Sequence, residues 1–451
     1  MAPWQRIARD AGAILLGQLA TIGFGVADTI MAGRYASTDL AALSIGMAIY
    51  ISLHVGLAGI VQALIPTIGQ HHGAREPEQV GEAFRQGLWL ALMVSLPGSL
   101  VLACPDLLLG LARSTPEMAT QVRDYLGLLA WGLPLSLLFR CYSGLNQGIS
   151  RPLLVTALQL GALALKLPLN AWFIFGGAGV PALGVVGCAV ATVAIHATLL
   201  LFAVAMLRLH PIYRPFQLWR GWRGPRWAAQ RELLRLGLPT GASYFFEVTA
   251  FTLMAVFISH FGTTALAGHQ IVANLASVMY MLPLSIAIAT GARVAQLRGA
   301  GEAQMARRAG WQGIALSVGL AVALGACLYL LRTPLLGLYS EDPAVRAAAA
   351  GLFAYIALYQ VFDAAQVTAA FALRSYRVAL LPAVGYAVAL WGFGLAGGYA
   401  LAFDSFAATP AWLRGASGFW FGNAAALALV AALLIWLYGV VSRRGLQADS
   451  R

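Results

Sequence analysis

A chain of 451 residues with 60% hydrophobic and only 10% charged residues carries more apolar sequence than a soluble core of that size can hide. Its apolar runs are about 20 residues long rather than short and alternating, which predicts an all-α integral membrane protein and excludes a β-barrel. A net charge of +12 would suit nucleic acid, but the basic residues fall between the apolar runs, as membrane topology requires. Twelve transmembrane helices are predicted, at about residues 9–33, 43–70, 86–109, 119–145, 153–175, 183–207, 233–260, 267–295, 308–331, 344–373, 378–402 and 418–442. The first run is too long for a signal peptide and has no convincing small-residue cleavage site, so it is expected to be retained.

With the N-terminus inside, 22 of the 29 basic residues fall on inner segments and 6 on outer ones (Arg34, Arg113, Arg123, Arg332, Arg346 and Arg414), Lys166 lying inside a span. This asymmetry, which counts Arg451 among the inner residues, places both termini in the cytoplasm. The longest connection, about residues 208–232, holds most of a group of seven arginines together with Trp219, Trp222 and Trp227, a composition suited to the cytoplasmic membrane surface. It divides the chain into a six-helix bundle over 1–207, a basic linker over 208–232 and a second six-helix bundle over 233–451. The halves repeat weakly. Thr38, Leu40 and Ala41 answer Thr264, Leu266 and Ala267, and at the same offset Gln70, Gly73 and Ala74 answer Gln296, Gly299 and Ala300. Arg140 and Tyr142 likewise answer Arg374 and Tyr376. An even number of spans per half makes these parallel repeats, an arrangement of transporters with the substrate path between the halves.

Of the seventeen acids, only Asp28, Glu247 and Asp363 fall well inside spans. Glu247 lies roughly 18 Å along a helix from Arg235, near mid-bilayer, where an ionisable side chain needs a cavity or a partner. Each acid has polar company at helical spacing: Gln18, Thr21 and Gly25 with Asp28; Thr240, Ser243 and Tyr244 with Glu247; Tyr359, Gln360 and Gln366 with Asp363. Carboxylates and hydroxyls are hard oxygen ligands suited to Na⁺ or a proton. Arg34 offers Asp28 a structural ion pair as the alternative. Lys166, the only lysine, sits mid-span four residues before Asn170 on the same face, and a buried ammonium needs an anion, for which Asp28 is the candidate; snorkelling to an interface is the competing reading. The four cysteines show no metal spacing and predict no disulfide framework. His54 and His196 are lone helical residues, and no nucleophile–base pair is evident. Prolines 97, 134, 168, 239 and 283 lie inside spans, where they could serve as kinks.

Several stretches together resemble the multidrug and toxic compound extrusion (MATE) transporters of the NorM-like branch. They are Val26-Ala27-Asp28-Thr29-Ile30-Met31-Ala32-Gly33, Gly144-Leu145-Asn146, Leu167-Pro168-Leu169-Asn170 with Gly187-Cys188-Ala189-Val190-Ala191-Thr192, Leu238-Pro239 with Phe245-Phe246-Glu247, Ala267-Gly268-His269-Gln270, and Tyr359-Gln360-Val361-Phe362-Asp363. The resemblance covers nearly the whole chain. It implies twelve helices in two pseudo-symmetric six-helix bundles arranged as a V, alternating between inward and outward openings. It also implies export of amphipathic, often cationic compounds by antiport with Na⁺ or H⁺ in a bacterial inner membrane. On that basis Glu247, Tyr359 and Asp363 form a cation site, with Na⁺ as one candidate, and Asp28 with Asn170 a second. One departure stands out: Lys166 replaces the amide expected one turn before Asn170, and is read as a tethered cation near Asp28 that disfavours Na⁺ there. The expectation is a monomeric transporter with no enzymatic activity and no cofactor beyond the coupling ion, its partners being organic cations, Na⁺ or H⁺ and membrane lipid. A lipid or lipid-linked precursor flippase is the alternative, though phosphate substrates favour a basic cavity and the deep charges here are mostly acidic.

Overall fold

The computed structural model describes residues 3–106, 109, 116–177, 179–405, 407 and 409–449; Arg113 and Arg451 lie outside them. Twelve helices among these residues are long and apolar enough to cross a membrane, six before and six after the connection that follows Leu209. The first half comprises α1 (Pro3–Tyr35), α2 (Ser37–Val61), α3 (Leu64–Gly73), α4 (Pro77–Ala103), α5 (Pro116–Gly148), α6 (Pro152–Phe175) and α7 (Val185–Leu209). The second comprises α8 (Trp227–Ile258), α9 (Thr263–Gly299), α10 (Ala303–Leu330), α11 (Arg332–Tyr339), α12 (Pro343–Ala350), α13 (Phe353–Arg374), α14 (Leu380–Ala387), α15 (Gly398–Ala402) and α16 (Ala416–Asp449). Between α14 and α15 the chain winds as a π-helix, Val388–Gly397, rich in glycine.

Proline explains several element boundaries. The Pro66 ring would clash with the Gln62 carbonyl in a continuous helix, and α2 gives way to α3 across Gln62 and Ala63. Pro334 acts alike between α10 and α11. The mid-span prolines, by contrast, are carried within continuous helices. Pro134 frees the Ala130 carbonyl, which accepts the Ser99 hydroxyl at 2.7 Å instead. The third span starts at Pro77, nine residues before the predicted boundary, because Glu82 and Arg85 pair at 2.7 Å on its first turns. The predicted tenth span is two helices. The Asp342 carboxylate accepts the Ala344 amide at 2.8 Å to start α12, and only α13 is long enough to cross.

The repeat seen in the sequence is also a repeat of packing. In the first half α5 lies against α2, α4 and α7, and in the second α13 lies against α9, α10 and α16. The fourth span of each half is thus a central post touching the second, third and sixth. Accordingly α13 buries almost every residue from Asp363 to Leu373. By compactness the chain divides into one unit of residues 13–241 and another of residues 1–12 with 242–451, here the N-terminal and C-terminal units.

The basic connection is tied down within the N-terminal unit. Glu82 pairs with Arg85 and, at 3.0 Å, with Arg226. Arg85 donates to the Gln217 carbonyl at 3.0 Å and Trp89 to that of Arg223 at 3.1 Å. Arg208 stacks over Trp219 at 4.8 Å, while Trp222 and Trp227 stay exposed. Tyr213 inserts inward to donate to Asn146 Oδ1 at 2.7 Å, and burial pushes its phenol above the ordinary value. All four cysteines are free thiols.

Candidate functional site

Two polar clusters lie inside the helical units, and they differ in charge. In the C-terminal unit α8 supplies Glu247 and α13 supplies Tyr359 and Asp363 one turn apart. The two carboxylates are close enough to repel one another when both are ionised. Tyr359, Tyr280 on α9 and Tyr386 on α14 each sense both of them. The Tyr386 hydroxyl lies beside Glu247 without forming a short hydrogen bond. Gln366 donates to Asp363 Oδ1 at 3.2 Å. Asp363 is only 1% exposed, and neither acid has a basic partner among the described residues. Arg374 reaches the cluster electrostatically through Tyr280, with its guanidinium 4.3 Å above the Phe371 ring.

Aromatic packing holds Tyr359 in place. Its ring meets Phe251 edge-on at 5.9 Å and Trp420 at 5.7 Å, and Trp420 donates to His269 Nδ1 at 3.3 Å. Phe251, one turn beyond Glu247, also lines an open cavity of about 880 Å³ with Thr252, Gln270, Asn274, Ser277 and Tyr339. Apolar walls with a few amides and hydroxyls suit an amphipathic ligand.

In the N-terminal unit α1 supplies Asp28, α6 supplies Lys166 and Asn170, and α7 supplies Thr192. Lys166 Nζ lies 3.0 Å from Asp28 Oδ1 and donates to Thr192 Oγ1 at 2.5 Å. Asn170 Nδ2 donates to the same Asp28 oxygen at 2.7 Å, leaving Asn170 Oδ1 buried without a partner. Thr192 donates to the Cys188 carbonyl at 2.8 Å, so its lone pairs are free for the ammonium. Lys166 is 1% exposed, Asn170 0% and Asp28 4%. The partner of Asp28 is therefore Lys166 rather than Arg34, and Lys166 does not snorkel.

The polar stripes read from helical spacing join these clusters only in part. Gln366 reaches Asp363, but Gln360 donates to the Ala276 carbonyl at 2.9 Å, and Thr240 to its own helix at 2.9 Å. Gln18 faces a small cavity with Arg140 and Gln147. Residues absent from the sequence reading are Tyr280 and Tyr386; Thr192 enters it only as part of a family stretch, and His54 and His196 only as lone helical residues. A phenol in an otherwise apolar run was the available signal for the tyrosines. His54 and His196 lie on α2 and α7, yet they interact electrostatically, and His196 also senses Lys166. His54 meets the Ser136 hydroxyl at 3.4 Å and stacks on Tyr50 at 5.3 Å, while the buried Nδ1 of His196 has no partner. Asp39 is also buried, but its role is structural: Oδ1 accepts the Val185 amide at 2.6 Å at the start of α7.

Among the described residues no three His, Cys, Asp or Glu side chains converge as a metal site. The donors available are carboxylates, phenols and amides, hard oxygens suited to a proton, Na⁺ or an organic cation.

The MatE family model matches residues 13–172 and 239–400. A probable multidrug resistance protein NorM of Aromatoleum aromaticum is 41% identical over 97% of this chain and 94% of its own length. The multidrug resistance protein PmpM of Pseudomonas aeruginosa is 35% identical over 98% of this chain and 92% of its own. A crystal structure of a MATE protein in the bent conformation superposes with a TM-score of 0.90 at 16% identity, over 100% of this chain and 98% of that one. With the family model matched across both halves, the relatives aligned nearly end to end and the twelve-helix fold shared, the chain belongs to the MATE family of membrane transporters.

Proposed function

We propose that this chain is a secondary multidrug exporter that expels amphipathic organic cations in exchange for Na⁺ or H⁺, with Glu247, Asp363 and Tyr359 as the ion-exchanging residues. The observation that carries the reading is a pair of mutually repelling acids in the C-terminal unit, Asp363 buried and Glu247 half-buried, with no basic partner among the described residues. Two like charges in a low-dielectric interior are costly until a cation or proton arrives. Naming of the relatives as multidrug resistance proteins supports the substrate class. The arginine asymmetry supports both termini in the cytoplasm, and the bacterial relatives support an inner-membrane location.

The mechanism follows from linkage. From outside, an ion neutralises Glu247 and Asp363, and the phenols of Tyr359, Tyr280 and Tyr386 offer it further oxygens. From inside, a cationic drug binds as the ion leaves, because both draw on the same carboxylate charge. A ligand shifts the balance of inward and outward states only by its difference in affinity for them, and exchange of charge supplies that difference. Lys166 already neutralises Asp28, which disfavours Na⁺ in the N-terminal unit.

The test is ethidium efflux from drug-sensitive bacterial cells or inverted vesicles, comparing wild type with Glu247→Gln in Na⁺ and in Na⁺-free buffer under an imposed pH gradient. Efflux by wild type is expected to fall at least about tenfold in the variant, as one ion's coupling free energy implies. Dependence of the wild type on Na⁺ or on the pH gradient identifies the ion. Equal efflux from both proteins would leave Glu247 a structural residue.

A further inference from the structure

We propose that Lys166 is an exchangeable proton carrier: a cation at Asp28 and the proton on Lys166 exclude one another, so an organic cation entering the N-terminal unit displaces a proton from this amine. The inference rests on the antiport reading above and extends it to a second site.

The choice of residue is the first argument. Of the 29 basic residues Lys166 is the one lysine, and every other is arginine. Arginine keeps its proton in proteins, whereas a buried amine can give it up. The chain therefore places its one lysine deep inside a membrane unit, 3.0 Å from a carboxylate.

The second argument is the distribution of hydrogen bonds. Lys166 and Asn170 both donate to Asp28 Oδ1, at 3.0 and 2.7 Å, while Asn170 Oδ1 stays buried with nothing to accept. A cation arriving at Asp28 would thus find a carboxylate and an unused amide oxygen in one cluster. The ammonium would keep only Thr192, and an uncompensated charge in this interior is costly. The neutral amine, in contrast, can still donate to Thr192.

The surroundings allow the transfer. Facing the Lys166–Asp28 pair are Tyr125 from α5, and Cys188, Thr192 and His196 from α7, with Asp39, Tyr50 and His54 on α2 in the wider network. His196 lies one turn from Thr192 on α7 and has a free Nδ1. In the exchange the Nζ–H bond breaks, its electron pair stays on nitrogen, and the proton passes to water, directly or by way of His196. The charge of the organic cation takes the place of the ammonium against Asp28.

The test uses purified protein in weakly buffered detergent with a pH indicator, and tetraphenylphosphonium, a cation with no proton of its own. A Glu247→Gln/Asp363→Asn background silences the other unit. Binding, followed by tryptophan fluorescence, is expected to release about one proton per cation in that background. Lys166→Arg should keep the ion pair but lose the release, and Lys166→Met should bind the cation more tightly and also without release. Unchanged release in either variant, binding without release in the background, or no binding in a background whose wild-type parent still exports would each overturn the proposal. Failure of the wild type to bind or export any organic cation would overturn the antiport reading itself.

Discussion

The two units share a plan of packing but not of charge. On the Arg140–Arg374 register, Tyr125 of the N-terminal unit answers Tyr359 of the C-terminal unit, both on the central helix and both buried. One turn further on, Leu129 stands where Asp363 does. Carrying the Thr38–Thr264 register back along the first helix of each half puts Thr21 opposite Glu247 and Met254 opposite Asp28. In the deep cluster of the N-terminal unit one acid is closed by an ammonium, while in that of the C-terminal unit two acids face each other with no basic partner among the described residues. A neutral cluster takes a cation only by giving up its own proton, whereas an uncompensated one calls for a charge from outside. The two halves share a scaffold, and a few side chains make one cluster self-balanced and leave the other open.

Giving the C-terminal unit its own ammonium should break this contrast most severely. Gln366 already touches Asp363, so Gln366→Lys places a cation where the exchangeable one is expected. Ion-dependent thermal stabilisation and drug efflux should both vanish in that variant, although the protein still folds; retained ion dependence would argue against the cation site. The converse change, Lys166→Gln, strands Asp28 as a buried charge and should cost about 3–5 kcal/mol of stability, read as a lower melting temperature in detergent. Adding Asp28→Asn should recover much of that loss, because it removes the charge left unpaired. Additive losses would mean the two side chains are not energetically coupled.

Smaller effects sharpen the same contrast. Tyr359→Phe removes one hydroxyl near the acids but leaves the ring between Phe251 and Trp420, so it should weaken apparent ion affinity by about fivefold, near 1 kcal/mol, with little change in melting. A titration of efflux against ion concentration measures it. At the low end, Arg123 pairs with Asp106 at 2.5 Å, but the side chains are 48% and 69% exposed. Arg123→Ala should therefore shift the melting temperature by an amount equivalent to less than about 0.5 kcal/mol.

The membrane class, the number of spans and the internal repeat are legible in the chain alone, because they depend on hydrophobic run length and register, which are local or periodic properties. It also singled out Asp28, Glu247, Asp363 and Lys166, since an ionisable residue deep in an apolar run is visible without any fold. Helix boundaries at Glu82 and Arg85 were misplaced because charges that pair along one helix look like a connection. Which deep ionisable groups act on one another comes from the fold: Lys166 pairs with Asp28 from another helix, Glu247 and Asp363 repel, and His54 and His196 are electrostatically coupled. Pairings of this kind join residues more than 100 positions apart, and they are set by how helices pack. Spacing along a single helix gives the face a side chain occupies, but the neighbour across that face comes from the fold.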